Sequence, residues 1–460
     1  MARVNRVVIV GGGPGGYEAA LVAAQLGGEV TVVDSDGLGG SAVLTDCVPS
    51  KTLIATAELM TEVEDAGELG VAIGDATVGV DLARVNDRVK MLALAQSADI
   101  AGRLEREGVS IVRGRGRLES ADVVVAEGAD GEQRLVADAV LVATGASPRT
   151  LPTAQPDGER ILTWEQVYDL DEVPSKLVVV GSGVTGAEFA SAYLALGIQV
   201  VLVSSRERVL PGEDADAAGV LEDVLRRRGM TVLPRSRMES VVRDADGEGV
   251  IVRLTDGREV TGSHCLLALG SVPNTAALGL VEAGVEVDRA GFIGVDRVSR
   301  TSARGVYAAG DCTGVLMLAS VAAMQGRIAM WHFLGDAVSP LDLDKVSSTV
   351  FTAPEIATVG LSAALAGEQG AEIFRLDLVG NARAKMQGVR DGFVKLFCRP
   401  GTGIVIGGVV VAPRASELIH PVSIAVAASL TADQLAQAFT VYPSMSGSIA
   451  EAARRLHHRR

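Results

Sequence analysis

The sequence predicts an α/β protein: two Rossmann-like nucleotide-binding units followed by a C-terminal α+β domain. Three observations carry this. Residues 4 to 34 read VNRVVIV, GGGPGG, YEAALVAAQLG and GEVTVVD: a buried strand, a glycine turn, a helix of small residues and a second strand. The same order returns at 176 to 204 as KLVVV, GSGVTG, AEFASAYLALG and IQVVLVS. From about residue 346, VFTAPEIATVGLS, DGFVKLFC and GIVIGGVVVAP predict an antiparallel sheet, with helices near 360–370, 414–429 and 431–438.

In the first unit Gly11, Gly13 and Gly16 fit GxGxxG. The first glycine permits the turn, the second lets a pyrophosphate approach the backbone, and the third lets helix pack on strand. Asp34 ends the second strand, where an acid accepts from a ribose hydroxyl. In the second unit Gly181, Gly183 and Gly186 hold the same places, but its second strand ends in Ser204, followed by Arg206 and Arg208. An acid there repels a ribose 2′-phosphate, whereas hydroxyl and guanidinium groups welcome one, so NADPH is expected here alongside NADH.

Residues 35 to 150 predict two helices, about 50–66 and 83–108, then a strand-rich stretch ending at the ATG turn with Thr144 and Gly145. Further on, GVYAAGDCTG (305–314) is an apolar strand that stops at Gly310 and Asp311. A carboxylate there suits sugar-chain hydroxyls, and a helix starting near Leu318 points its N-terminal dipole beyond it. The expected division is a first dinucleotide domain at 1–150, a second at 151–275, a central part completing the first at 276–345, and a subunit-contact domain at 346–460.

Composition narrows the function. Aromatic residues make up only 3% of 460, which argues against stacked-base recognition of nucleic acid. The net charge of −15 repels phosphate backbones and anionic membranes alike; the basic end ARRLHHRR (453–460) reads as a solvated helix end. GIVIGGVVVAP from Gly403 is too short to span a bilayer and rich in β-branched residues, so it reads as a buried strand and no stable membrane insertion is expected. Cys47, Cys265, Cys312 and Cys398 lie far apart, without CxxC or His-Cys spacing for a metal. His264, His332 and His420 show no metal spacing either and read as structural or surface groups. With no signal-peptide pattern in MARVNRVVIVGGGPGG, a cytoplasmic protein is expected.

These pieces, in this order, resemble the flavoprotein disulfide reductases, above all dihydrolipoamide dehydrogenase, along essentially the whole chain. The resemblance rests on GGGPGG, CVPSK, ATG, GSGVTGAE, GVYAAGDCTG and the segments VFTAPEIATVGLS, NARAKM and VVVAPRASELI. It implies FAD in the first domain, with Gly11, Gly13, Gly16, Asp34, Thr144, Gly145 and Asp311 among its contacts. It implies NAD(P)H in the second, with Gly270 also among the contacts, and a homodimer whose last domain completes each active site. The lysine after CxPS, here Lys51, is implied to lie beside the flavin N5 and to pair with the glutamate of GxxGxE, here Glu188.

Two departures matter. The family motif GGxCxxxxCxPSK is here GGSAVLTDCVPSK, with Ala42 at the first cysteine position and Cys47 at the second. The C-terminal HPTxSE is here YPSMSG, with Tyr442 for the histidine and Gly447 for the glutamate. Dithiol exchange needs an attacking thiol and an imidazole to move its proton. The pattern is similar to the NAD(P)H quinone reductase branch, which implies hydride passing from NAD(P)H to FAD and on to a quinone, with Lys51, Glu188 and Tyr442 at the reacting centre. Three alternatives stay open: a soluble pyridine nucleotide transhydrogenase, a peroxidase or oxidase working through Cys47 alone, and a catalytically silent flavoprotein scaffold or redox sensor.

Overall fold

The computed structural model describes residues 4–72, 78–129 and 131–457. The chain divides into two compact units, one drawn from 1–50, 86–149 and 270–342, the other from 51–85, 150–269 and 343–460. Residues 51–85, assigned by sequence to the first domain, thus group with the second unit.

In the first unit, five parallel strands lie in the order Val306–Ala308, Ala139–Val142, Arg6–Val10, Glu29–Asp34 and Ser110–Arg113. The central strands are nearly continuous runs of Val, Ile, Leu and Ala, the pattern of strands covered on both faces. The helix Pro14–Gln25 leaves the first strand through the glycine turn, with Pro14 in its first turn, where a missing N–H costs nothing. A Cβ on Gly16 would lie 1.9 Å from the Gly11 carbonyl oxygen, so only glycine lets this helix pack so close to its strand. The helix Ala319–Leu334 starts after Leu318, as the sequence predicts, and crosses Pro14–Gln25 at Gly326, whose added Cβ would meet the Gly15 oxygen at 2.0 Å.

The second unit repeats the plan with parallel strands Thr231–Leu233, Gln199–Val203, Lys176–Val180, His264–Leu267 and Ile161–Thr163. The helix Val184–Ala195 leaves the glycine turn here, and a Cβ on Gly186 would fall 1.9 Å from the Gly181 oxygen, repeating the first turn's geometry. The same unit carries an antiparallel sheet in the order Ser347–Val350, Glu355–Gly360, Val405–Ala412, Phe393–Cys398 and Glu372–Asp377. Val405–Ala412, from the stretch too short for a membrane, is buried throughout at its centre.

Lys395 sits 5% exposed in that sheet. Its ammonium is held by Asp214 at 2.7 Å and Asp216 at 2.6 Å, at the start of the helix Ala215–Arg227. A buried cation is tolerable only with such partners, and the pair ties the second nucleotide fold to the C-terminal sheet.

The helix expected over 414–429 is two pieces, Ala415–Leu418 and His420–Ala427. Pro421 lacks the N–H needed to continue the first, and it falls in the opening turn of the second. The basic end is a helix end, as expected: the amphipathic helix Gly447–Arg455 buries Ser448, Ile449, Ala452 and Ala453 and stops within the basic stretch, where Arg454, Arg455 and His457 are exposed. Arg454 does face outward, paired with Glu451 at 2.5 Å. The last three residues of the basic stretch, 458–460, lie outside the described residues. Among the described residues no helix is long and apolar enough to cross a membrane.

Candidate active site

The first glycine turn is built to receive a ligand. Gly11 has φ +103°, a conformation a side chain would strain, and nothing lies within 4 Å of a Cβ added at Gly13. The helix Pro14–Gln25 starts beside that open space with no side-chain cap. Asp34 stands at the end of its strand, Oδ2 accepting from Gly12 N at 2.7 Å and Oδ1 from Gly37 N at 2.6 Å. Those bonds fix the carboxylate as an acceptor beside the turn.

At the ATG turn Gly145 has φ +68°, and Asn274 holds the turn by donating from Nδ2 to the Thr144 carbonyl oxygen at 3.1 Å and from its backbone N–H to Gly145 O at 3.0 Å. The Thr144 side-chain hydroxyl is buried beside the Cys312 thiol. Asp311 follows Gly310 at the end of the edge strand. Burial, and then the negative charge of Asp46, raise its carboxyl to about 6. A half-buried acid beside another acid gains from hydroxyl donors, so an open glycine turn, a fixed acceptor and an acid needing donors together fit the adenosine, pyrophosphate and sugar chain of a flavin dinucleotide.

The second turn repeats the cradle: nothing lies within 4 Å of a Cβ on Gly183, and the helix Val184–Ala195 again has no side-chain cap. Ser204 differs from expectation. It is fully buried; its hydroxyl lies 2.6 Å from that of Ser182, donates to Arg206 O at 3.2 Å and accepts from Arg206 N at 3.1 Å. It therefore shapes the loop rather than presenting its hydroxyl to a ligand. Arg206 is exposed on that loop and Arg208 half-buried. Gly270, in the other unit, has φ +85° with open space around it and accepts from Arg149 N at 2.9 Å.

Lys51 and Glu188 meet as the family resemblance implies. Lys51 lies on the helix Cys47–Asp65 and donates from Nζ to Glu188 Oε2 at 2.8 Å. Glu188, 4% exposed, accepts on Oε1 from the backbone N–H of Phe351 at 2.8 Å, and the Phe351 ring lies 4.7 Å from Lys51 Nζ. Phe351 was missed as a site residue, because its segment reads as a strand edge and only the fold brings it to Glu188. A cavity of about 460 Å³ opens onto Lys51 and Phe351, with Glu58, Glu355 and Arg414 in its wall.

Tyr442 is 86% exposed, beside the exposed Phe439 and Val441. The structure does not bring it to Lys51 or Glu188 within one chain. Cys47, half-buried at the start of its helix, is in no disulfide. Cys312 and Cys398 are buried and their thiols are pushed up to about 11 and about 12, chiefly by burial; Cys265 is raised for the same reason. These three are core thiols. His264 is buried against Arg160 and Ser263, and His332 lies 2.9 Å from the Tyr307 hydroxyl.

Two dinucleotide cradles and a half-buried lysine paired with a buried glutamate define a flavin- and nicotinamide-dependent oxidoreductase. Residues 5–326 match the model of the pyridine nucleotide-disulphide oxidoreductases, and 346–453 match the dimerisation domain of the same group. The chain belongs to the pyridine nucleotide-disulphide oxidoreductase family. It is 56% identical to the NAD(P)H dehydrogenase (quinone) of Mycobacterium tuberculosis over 98% of this chain and 94% of that one. It is 32% identical to the dihydrolipoyl dehydrogenase of Zymomonas mobilis over 97% and 96%. The crystal structure of LpdA from Mycobacterium tuberculosis superposes with a TM-score of 0.95 over 99% of this chain and 100% of that one, at 56% identity. The fold is also that of the HOCl-induced flavoprotein disulfide reductase RclA of Escherichia coli, with a TM-score of 0.86 over 98% and 99% at 24% identity. The protein is an NAD(P)H-dependent flavoprotein oxidoreductase, and its cofactors are FAD and NAD(P)H.

Proposed function

We propose that this protein is an NAD(P)H:quinone oxidoreductase that reduces its acceptor without a disulfide relay. The observation that carries this is the motif GGSAVLTDCVPSK, which lacks the first thiol, combined with an intact Lys51–Glu188 pair at 2.8 Å. The relative at 56% identity is named for quinone reduction, which supports the same reading. The net reaction is NAD(P)H, a quinone and one proton giving NAD(P)+ and a quinol.

Bound FAD supplies the two-electron exchange between nicotinamide and quinone. Gly11, Gly13 and Gly16, with Asp34, Thr144, Gly145 and Asp311, hold it; Gly181, Gly183 and Gly186 seat the nicotinamide nucleotide. Arg206 and Arg208 take a 2′-phosphate when the donor is NADPH. Lys51, held by Glu188, places a fixed positive charge beside the reacting centre, where it orients the nicotinamide and stabilises developing negative charge.

Residues 346–460 form the subunit contact of a homodimer. Tyr442, on its exposed segment, reaches the site of a second copy and hydrogen-bonds the quinol oxygen as it forms. The domain assignment 1–150, 151–275, 276–345 and 346–460 belongs to this reading.

The test is anaerobic. NADPH or NADH should bleach the flavin, and menadione should restore it rapidly, at the same rate in a Cys47→Ser variant, while lipoamide supports no turnover. Bleaching without reoxidation by quinone would sink the proposal and turn attention to NAD+ or peroxide as acceptor. Loss of reoxidation in Cys47→Ser would return the thiol to the pathway.

A further inference from the structure

We infer that Phe351 is a positioning residue for Lys51, acting as a lid that holds the ammonium on Glu188. The inference rests on the role proposed above for Lys51, and goes beyond it by making a residue of the C-terminal domain set that lysine's geometry.

A carboxylate buried as deeply as Glu188 needs a partner on each oxygen, and it has two from different parts of the chain. Lys51 Nζ occupies Oε2, and the backbone N–H of Phe351 occupies Oε1, each at 2.8 Å. The Phe351 backbone is itself fixed. It follows the strand Ser347–Val350, and two residues on, Ala353 N donates at 3.1 Å to Ser191 Oγ, one turn beyond Glu188 on the same helix. Thr352, between them and 5% exposed, donates from its hydroxyl to Pro354 O at 2.7 Å. The connection after that strand is therefore stitched twice to the helix of the second glycine turn.

This leaves the ring with a distinct task. Its position 4.7 Å from Lys51 Nζ gives the ammonium a π face in addition to the Glu188 carboxylate. The Lys51 side chain remains 31% exposed, and the cavity beside it admits small molecules. A flexible four-carbon stem in such a place has other rotamers open to it; the ring and the carboxylate both favour the one seen here. Replacing the ring removes the lid but leaves the amide, so Glu188 keeps its bond from the main chain while Lys51 keeps Glu188 and loses the π face.

Phe351→Leu keeps most of the volume without the π face, and Phe351→Tyr keeps the face. The holoprotein variants are compared by single-turnover flavin reduction, by the flavin midpoint potential, and by acylation of Lys51 with an N-hydroxysuccinimide ester read by mass spectrometry. The expected result for Phe351→Leu is hydride transfer slower by about tenfold, KM for NAD(P)H within about twofold, a shifted potential and faster acylation of Lys51, with Phe351→Tyr close to native. In a Lys51→Met background the leucine change should add little to the loss in rate, because the two residues act as a unit.

Slow reduction in Lys51→Met beside native reduction, potential and acylation in Phe351→Leu overturns this inference alone. Additive losses in the double variant overturn it too. Native reduction in Lys51→Met overturns the role proposed for the lysine, and the lid falls with it.

Discussion

The Lys51 ammonium lies 2.8 Å from Glu188 Oε2, although 137 residues separate the two in sequence. One charge comes from the helix that begins at Cys47, the other from the helix of the second glycine turn. Because Glu188 is buried, the two halves of the pair have unequal tolerance to loss. Removing only the cation leaves a carboxylate with one amide donor in an apolar setting.

Lys51→Met is therefore expected to lower unfolding free energy by about 2 to 4 kcal/mol, and adding Glu188→Gln should recover part of it, since the uncompensated charge goes with it. Denaturant melts of the two singles and the double measure this. A double variant weaker than Lys51→Met would show that Glu188 keeps another cationic partner.

The two glycine turns separate the two cofactors. At Gly186 an added methyl would lie 1.9 Å from the Gly181 oxygen, and at Gly16 it would lie 1.9 Å from Gly11 O. Gly186→Ala should thus distort only the second cradle, leaving FAD at native stoichiometry while slowing bleaching by NAD(P)H at least about tenfold; Gly16→Ala should lower flavin content itself. Absorbance ratios and anaerobic stopped flow distinguish the two. Loss of FAD from Gly186→Ala would contradict the division of labour.

Much of this was legible because nucleotide folds place functional glycines at fixed distances along a strand, turn and helix. Both βαβ units and the ATG turn follow from such local patterns, whereas the Lys51–Glu188 pairing was reached only through the resemblance to a known family. Phe351 escaped because its backbone amide, not its side chain, does half of the work, and a sequence shows no backbone contacts. Ser204 misled for a related reason: it sits where a ligand-facing hydroxyl is expected, but its neighbours Ser182 and Arg206 take up the hydroxyl. The end of the final helix was legible in its basic residues, but not its buried face, which four small or apolar positions set.

That correction sharpens the question of nucleotide choice. With Ser204 turned inward, the proposed recognition of a 2′-phosphate falls to the exposed Arg206 and its neighbour Arg208. Arg206→Ala is expected to raise KM for NADPH by about tenfold and leave that for NADH within about twofold. Ser204→Ala should instead affect both nucleotides alike, by loosening the loop. Steady-state kinetics with each donor decide it, and equal effects of Arg206→Ala on NADH and NADPH would remove the arginine from recognition.

Asp311 gives the site a dependence on pH. Burial and the nearby Asp46 raise its carboxyl to about 6 in the folded chain, against about 3.9 when unfolded. The folded, FAD-free protein thus binds this proton more tightly than the unfolded chain. Its contribution to stability is fully present below about pH 4 and is lost as pH rises through about 6. Sugar-chain hydroxyls donate best to the ionised carboxylate, so FAD uptake below pH 6 must expel the proton, and each expelled proton weakens binding. The FAD affinity of the apoprotein should then rise by about tenfold between pH 5 and 7 and level off above. Asp46→Asn removes the neighbouring charge and should move that rise to lower pH, while Asp311→Asn should flatten it and weaken binding throughout. Fluorescence titration of the apoprotein with FAD across this range measures all three, and a flat native profile would show that Asp311 does not accept from the flavin's sugar chain.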